Sequence, residues 1–400
     1  MAPEFVPSSN IALLRESATI AVSQRAKALK AEGRAIIDLG AGEPDFDTPD
    51  FIRESAKASI DAGHTHYTAT EGIFPLRAAI AEMAREYGAI AAELAPQDVV
   101  VSNGSKQSLF NACFCLFGEG DEVLVPTPAW TSYYEMVQLA KAVPVIVMGD
   151  PANDLKVTPS MLDAAATPRT RGVMLNSPCN PTGAVYSADE LRALLTLAHE
   201  RGWWVICDEI YRRIHYESPA PSALEVAPAI DNLIVVDGVA KAYAMTGWRV
   251  GWSIAPRAVT KAMTAFQSHA TFHTAAMAQY GALAALTRRA ESDSAISDMV
   301  EQYRVRRDAG LRVFAATPSL PLVRPAGAFY FYFDVSAAFP GHPEPGSAFA
   351  AKLLEERGVA VVPGAAFRTP GWVRASYAAP EREVVEGITR AISLWSDLQG

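Results

Sequence analysis

Cysteine is scarce in this chain of 400 residues. The four present, Cys113, Cys115, Cys179 and Cys207, make no CxxC pair and no Cys/His cluster at zinc-ligand spacing, which excludes a disulfide scaffold and a structural zinc site. They read as reduced, mostly buried thiols. No apolar run approaches the ~20 residues of a membrane span, and the first thirty residues lack a continuous apolar segment behind a basic start. A soluble, cytoplasmic protein is expected. Positive charge is in deficit, with 35 Lys and Arg against 44 Asp and Glu and a formal net charge of −9. Nucleic acid and anionic lipid both need clustered positive charge, so neither is an expected partner. Repeats and low-complexity tracts are also missing. What remains is half apolar and one fifth charged, the balance of a globular protein with a large core. The length suits two or three domains, and a small molecule is the expected ligand.

The middle of the chain carries seven short, largely β-branched runs: DVVVS (98–102), DEVLVP (121–126), VPVIVM (143–148), RGVMLNS (171–177), WWVICD (203–208), NLIVVD (232–237) and VGWSIA (250–255). Runs that are apolar almost throughout suit strands covered on both faces, hence a mainly parallel sheet with crossover helices. Helices are expected over 105–117, 130–140, 187–201 and 256–287. The last hundred residues differ: a long amphipathic helix from about 291 leads into the strand AGAFYFYFDV, another helix, and the short strands VAVVPG and GWVRASYA. They predict a smaller α+β domain joined by the opening residues. The expected division is an N-terminal arm (1–15), a small domain (16–46 with 291–400) and a large domain (47–290), with the active site between the last two. In open sheets of this kind ligands bind beyond the carboxyl ends of the strands.

Four strings at such ends stand out. In VVDGVAKAYAMTGWRVGW, Lys241 follows a strand by four residues without an acidic neighbour. It is either a solvated loop lysine or an amine desolvated enough to form a Schiff base. Arg249, flanked by Gly247 and Gly251, suits a phosphate. In WWVICDEIYRR, Asp208 ends a strand, and a carboxylate there needs a cationic or hydrogen-bonding partner. A protonated pyridine nitrogen serves, as would a helix N-cap role or a pairing with Arg212 or Arg213. NSPCNPTG makes a shaped loop that puts Asn180 beyond another strand. VSNGSKQSLFNA reads strand, glycine loop, helix, so the amides of Gly104, Ser105 and Lys106 lie at a helix N-terminus that favours phosphate. A Schiff-base lysine, a pyridinium partner, a ring-hydroxyl partner and a phosphate cradle together describe pyridoxal phosphate.

These strings, with GAGEPDFDTP and GWVRASYA, resemble the fold-type I pyridoxal-phosphate enzymes, and among them the class I aminotransferases of the bacterial aspartate type. The resemblance runs from SATIAV to GWVRASYA, nearly the whole chain. It implies an α/β, three-layer fold with a mainly parallel central sheet plus a smaller α+β domain. It further implies that Lys241 carries the cofactor, Asp208 pairs with the pyridine nitrogen, Tyr211 and Asn180 bond the ring hydroxyl, and Arg249 with Gly104, Ser105 and Lys106 holds the phosphate. Trp130, otherwise a core aromatic, stacks on the ring and touches substrate. Tyr67, in HYTATEGI, reaches the phosphate of a neighbouring subunit, which implies a homodimer with shared active sites. Arg374, otherwise an edge-strand charge, grips the substrate α-carboxylate, and Gly42 contacts the same substrate. The sequence departs from the family at Gly238, where many relatives have serine.

The implied activity is transfer of the amino group between L-aspartate and 2-oxoglutarate in a ping-pong cycle of the pyridoxal and pyridoxamine forms of the cofactor. Lys106 and Thr19 match the residues that take the second carboxylate, although Lys106 also reads as a helix-start charge. Prephenate is a further implied substrate. Rival readings are an aromatic or other amino-acid aminotransferase, a lyase using the same cofactor, and a non-catalytic module of a transcription regulator. Only about 40 residues precede GAGEPDF, without a helix-turn-helix pattern. His269 and His273 are four apart in the expected 256–287 helix but have no third ligand in view, so no metal site is expected. His64 and His66 read as surface residues.

Overall fold

The structure, a computed structural model, describes residues 5–12, 14 and 18–399, without the side chains of 18–20. A short strand β1 (Ile37–Asp38) precedes the main sheet, which contains β2 (Val99–Ser102), β3 (Glu122–Thr127), β4 (Val143–Met148), β5 (Thr170–Asn176), β6 (Trp204–Asp208), β7 (Leu233–Gly238) and β8 (Gly251–Ile254). These are the seven runs read from the sequence. They are ordered β2-β8-β7-β6-β5-β3-β4, and β8 is antiparallel to both its neighbours while the other pairings are parallel.

Two-sided burial explains why the runs are continuously apolar. Successive strand residues point to opposite faces. Val99, Val101, Val205, Cys207, Leu233 and Val235 enter one core layer, and their neighbours Val100, Ile206, Ile234 and Val236 enter the other. Helix Ala188–Glu200 supplies Leu191, Leu194 and Leu195 to the first layer, while helices Ser105–Leu116 and Arg257–Ala270 supply Leu109, Val259 and Met263 to the second.

The remaining strands are β9 (Leu322–Val323), β10 (Tyr330–Asp334), β11 (Val359–Ala360), β12 (Val362–Pro363) and β13 (Trp372–Ser376). They form an antiparallel sheet β12-β13-β10-β9 and a parallel pair β1-β11. Helices Arg289–Ala315, Pro345–Arg357 and Glu381–Asp397 complete this part. The α/β fold expected from the sequence is therefore present, with a mostly parallel sheet and a smaller antiparallel one.

One element differs. The expected 256–287 helix is two, Arg257–Ala270 and Ala276–Thr287. The amides of Thr271 and Phe272 both return to the Gln267 carbonyl, and Phe272 takes a left-handed φ of 65°. Glycine usually marks such an ending, and its absence at 272 hid the break. His273 therefore lies beyond the first helix, and among the described residues no group of three potential ligands gathers to hold a metal. No helix of the described residues is long and apolar enough to cross a membrane.

The departure at Gly238 has a steric cause. A Cβ there would stand 2.9 Å from Gly251 Cα and 3.0 Å from the Val250 carbonyl oxygen, so β7 and β8 meet backbone to backbone. Gly238→Ser is expected to cost about 1–3 kcal/mol of stability, read as a lower urea midpoint at unchanged slope. An unshifted midpoint would show that the two strands absorb a side chain here.

Candidate active site

Because β2, β3, β5, β6 and β7 run the same way, Ser102, Thr127, Asn176, Asp208 and Gly238 end at one edge of the sheet. The chain beyond these ends, together with β10, β13 and the Gly40–Glu43 turn, encloses a cavity of about 600 Å³. Gly42, Ser105, Lys106, Trp130, Asn180, Asp208, Tyr211, Lys241, Arg249 and Arg374 all line it. Ten residues read separately from the sequence thus meet in one place. Gly104 sits behind the wall against Arg249. Tyr67 does not line the cavity. It is 85% exposed and packs edge-on against Phe272 and His273. Thr19 falls in helix Ala18–Ala31, but its side chain lies outside the described residues. His64 and His66 are exposed.

Lys241 Nζ donates to the Gly42 carbonyl at 2.6 Å. Burial pushes its amine down to about 8, although Glu43 opposes the shift. Nearly half-neutral at that pH, the amine is suited to act as nucleophile and base. Asp208 is buried, and neither Arg212 nor Arg213 reaches it: Arg212 pairs with Glu209 and Arg213 with Asp293. Its Oδ1 instead accepts from the Ile210 amide at 3.1 Å and its Oδ2 from the Tyr133 hydroxyl at 2.7 Å. Burial raises its carboxyl to about 6 against these hydrogen bonds. An acid so placed gains from a cation in the cavity.

Asn180 is fixed from two sides. Its backbone N–H donates to Asn176 Oδ1, and its side-chain Oδ1 accepts from Arg374 Nη1 at 2.8 Å. Tyr211 and Tyr330 share a hydroxyl–hydroxyl hydrogen bond of 2.7 Å. Lys106 Nζ lies 4.7 Å from the Trp130 ring centroid, and burial, then Arg249, lowers its amine. Arg374 is 2% exposed, yet among the described residues its Nη atoms donate only to the Asn180 amide oxygen and the Gly40 carbonyl. No carboxylate among the described residues pairs with it. A buried guanidinium without a counter-ion is costly and suits an incoming anion.

The Gly104 turn passes the test for a phosphate. The amides of Ser105 and Lys106 open helix Ser105–Leu116 and donate to no acceptor among the described residues. A Cβ on Gly104 would stand 2.5 Å from Arg249 Nη2, and one on Gly251 would stand 2.1 Å from the Ser105 nitrogen. Glycine at both positions thus lets Arg249 and two free N–H groups converge, a cradle for an anion of phosphate size. Arg249 reaches it from a left-handed φ of 57°.

Sequence reasoning missed Tyr133, Tyr330, Asn176 and Glu43. Tyr133 lies three residues after Trp130, about one helical turn, and Tyr330 opens an aromatic strand in which a phenol needs a partner. The signals existed but named no partner.

Comparison with known proteins bears on the whole chain. The pattern of the family "Aminotransferase class I and II" matches residues 34–392. An aspartate aminotransferase of Streptomyces avermitilis is 42% identical over 98% of this chain and 96% of its own. An aspartate/prephenate aminotransferase of Cereibacter sphaeroides is 40% identical over 96% and 97%. The structure of Thermus thermophilus aspartate aminotransferase with maleate superposes with a TM-score of 0.92 at 39% identity, covering 98% of this chain and all of the other. The chain belongs to the class I and II aminotransferases, pyridoxal-phosphate enzymes acting on amino and keto acids, and among them to the aspartate aminotransferase type.

Proposed function

We propose that the protein transfers the amino group of L-aspartate to 2-oxoglutarate, with the cavity residues in the following roles. Lys241 holds the cofactor and, once released, takes the Cα proton of the substrate on Nζ. Asp208 faces the pyridine nitrogen, Asn180 and Tyr211 the ring hydroxyl, Trp130 the ring face, and the Gly104–Lys106 turn with Arg249 the phosphate. When bound, pyridoxal phosphate supplies a protonated ring that accepts the electron pair released at Cα. Arg374 and Gly42 orient the α-carboxylate, and Tyr330 secures Tyr211. The residues 16–46 with 291–400 act as a small domain against a large domain of 47–290, with 1–15 as an arm. Tyr67, exposed on its own chain, serves the phosphate site of a second copy in a homodimer.

The single observation that carries the substrate reading is charge. Lys27, Lys106, Lys241, Arg249 and Arg374 line the cavity against Asp38, Glu43 and Asp208, an excess of two cations when all are ionised. Anionic groups, phosphate and carboxylate alike, suit such a wall. Lys106, unpaired with any described carboxylate, takes the distal one. The relatives named for aspartate and the maleate-bound structure, maleate being a four-carbon dicarboxylate, support this. Prephenate, also a dicarboxylate, is the second reading, supported by the Cereibacter relative's name.

Half-reactions test it. Aspartate and glutamate are expected to convert the cofactor's absorbance faster than phenylalanine or alanine. Lys106→Ala is expected to lower kcat/KM for aspartate about 10- to 100-fold, the worth of a charge-assisted hydrogen bond, while leaving alanine almost unchanged. Faster conversion by phenylalanine, or an equal loss for both substrates, would refute the assignment.

A further inference from the structure

Asp208 stands among groups that include a second carboxyl and a single cation. Facing it are Cys207 on its own strand, Cys179, Tyr211, Tyr133, Asp237 on β7 and Lys241. Of these only Lys241 is a cation, and its charge disappears whenever its amine is neutral. Two donors then remain: the Ile210 amide, fixed by the backbone, and the Tyr133 hydroxyl. Tyr133 is itself buried, its hydroxyl makes no other hydrogen bond among the described residues, and Trp130 packs edge-on against its ring at 5.5 Å and 90°. The start of helix Thr131–Leu139 therefore holds both the residue facing the ring and the donor to the carboxylate.

We propose that Tyr133 is a positioning residue for Asp208, locking the plane of the carboxylate and keeping it ionised for the protonated ring nitrogen. The inference rests on the cofactor assignment above. With Oδ2 taken by Tyr133 and Oδ1 by Ile210, the carboxylate cannot rotate, and its remaining lone pairs serve the cavity. A hydrogen bond to an ionised acceptor favours the charged form by about one pKa unit. Removal of the hydroxyl raises the carboxyl above its present value of about 6, so ionisation is lost at higher pH.

The test is equilibrium titration of cofactor-free protein with pyridoxal phosphate from mildly acid to neutral pH, comparing Tyr133→Phe with the natural chain. The natural protein is expected to lose affinity below about pH 6. The variant's loss is expected to begin about one unit higher, making it about fivefold weaker near that pH and little different two units above. A carbon analogue of the cofactor lacking the ring nitrogen is expected to show no such difference. Should Tyr133→Phe fail to fold, 3-fluorotyrosine at position 133, a stronger donor, should shift the midpoint downward. An unshifted midpoint in either protein, with Asp208→Asn still weakening binding, overturns the role of Tyr133 alone. Undiminished binding by Asp208→Asn overturns the cofactor assignment beneath it.

Discussion

Replacing Lys241 by alanine is expected to slow single-turnover conversion of aspartate by about 10⁴-fold or more. A positioned general base alone contributes about 10²- to 10⁴-fold, and the proposed roles make the same amine the nucleophile as well. The effect belongs to proton transfer and not to charge, because Lys241→Arg should fall as far. A guanidinium keeps its proton at every accessible pH, whereas the buried lysine amine releases its own near pH 8. Between about 8 and the ordinary lysine value of 10.5, the unfolded chain binds a proton that the folded chain does not. This group's contribution to stability therefore rises with pH through that window. Near-normal turnover by either variant would remove Lys241 from the chemistry.

Arg374→Ala is expected to reduce kcat/KM by about 10²- to 10³-fold, the usual cost of leaving a buried charge without its partner. Every α-amino acid carries the α-carboxylate, so the loss should be similar for aspartate, glutamate, alanine and phenylalanine. Lys106→Ala, by contrast, should discriminate among them. A loss confined to the dicarboxylic substrates would mean that Arg374 reads the distal group and that the two cations have exchanged roles. Arg374→Lys should recover little, since an ammonium does not reproduce the planar fork.

Much of the architecture was legible because burial on both faces writes itself as continuous apolar strands. Val99–Val101, Val205–Cys207 and Leu233–Val236 alternate between two core layers, and no polar residue interrupts them. The break after Ala270 was not legible. It depends on Phe272 adopting a left-handed conformation, stabilised by hydrogen bonds that propensity does not encode. Within the site, Lys241, Asp208 and Asn180 announce themselves by lying at or just after strand ends, and Arg249 by its flanking glycines. Tyr133 and Tyr330 do not, because their roles exist only in pairs. Tyr133 meets Asp208 from 75 residues away and Tyr330 meets Tyr211 from 119, and no local pattern states such pairings. The steric reason for Gly238 was equally hidden, since it lies in the neighbouring strand.

The reversed strand β8 has an architectural result of its own. Lys241 and Arg249 lie on one connection, which leaves β7 at Gly238 and returns in β8 at Gly251, paired residue to residue with it. The amine and the guanidinium are thereby mounted on a single hairpin whose span is fixed by the β ladder. Gly42, Tyr330 and Arg374 arrive on other elements. These elements still touch the cofactor side of the cavity through side-chain contacts, Arg374 to Asn180, Tyr330 to Tyr211 and Gly42 to Lys241, but none of them carries the backbone between the amine and the guanidinium. A shift of the outer wall therefore leaves the backbone spacing between Lys241 and Arg249 to the β7–β8 ladder alone.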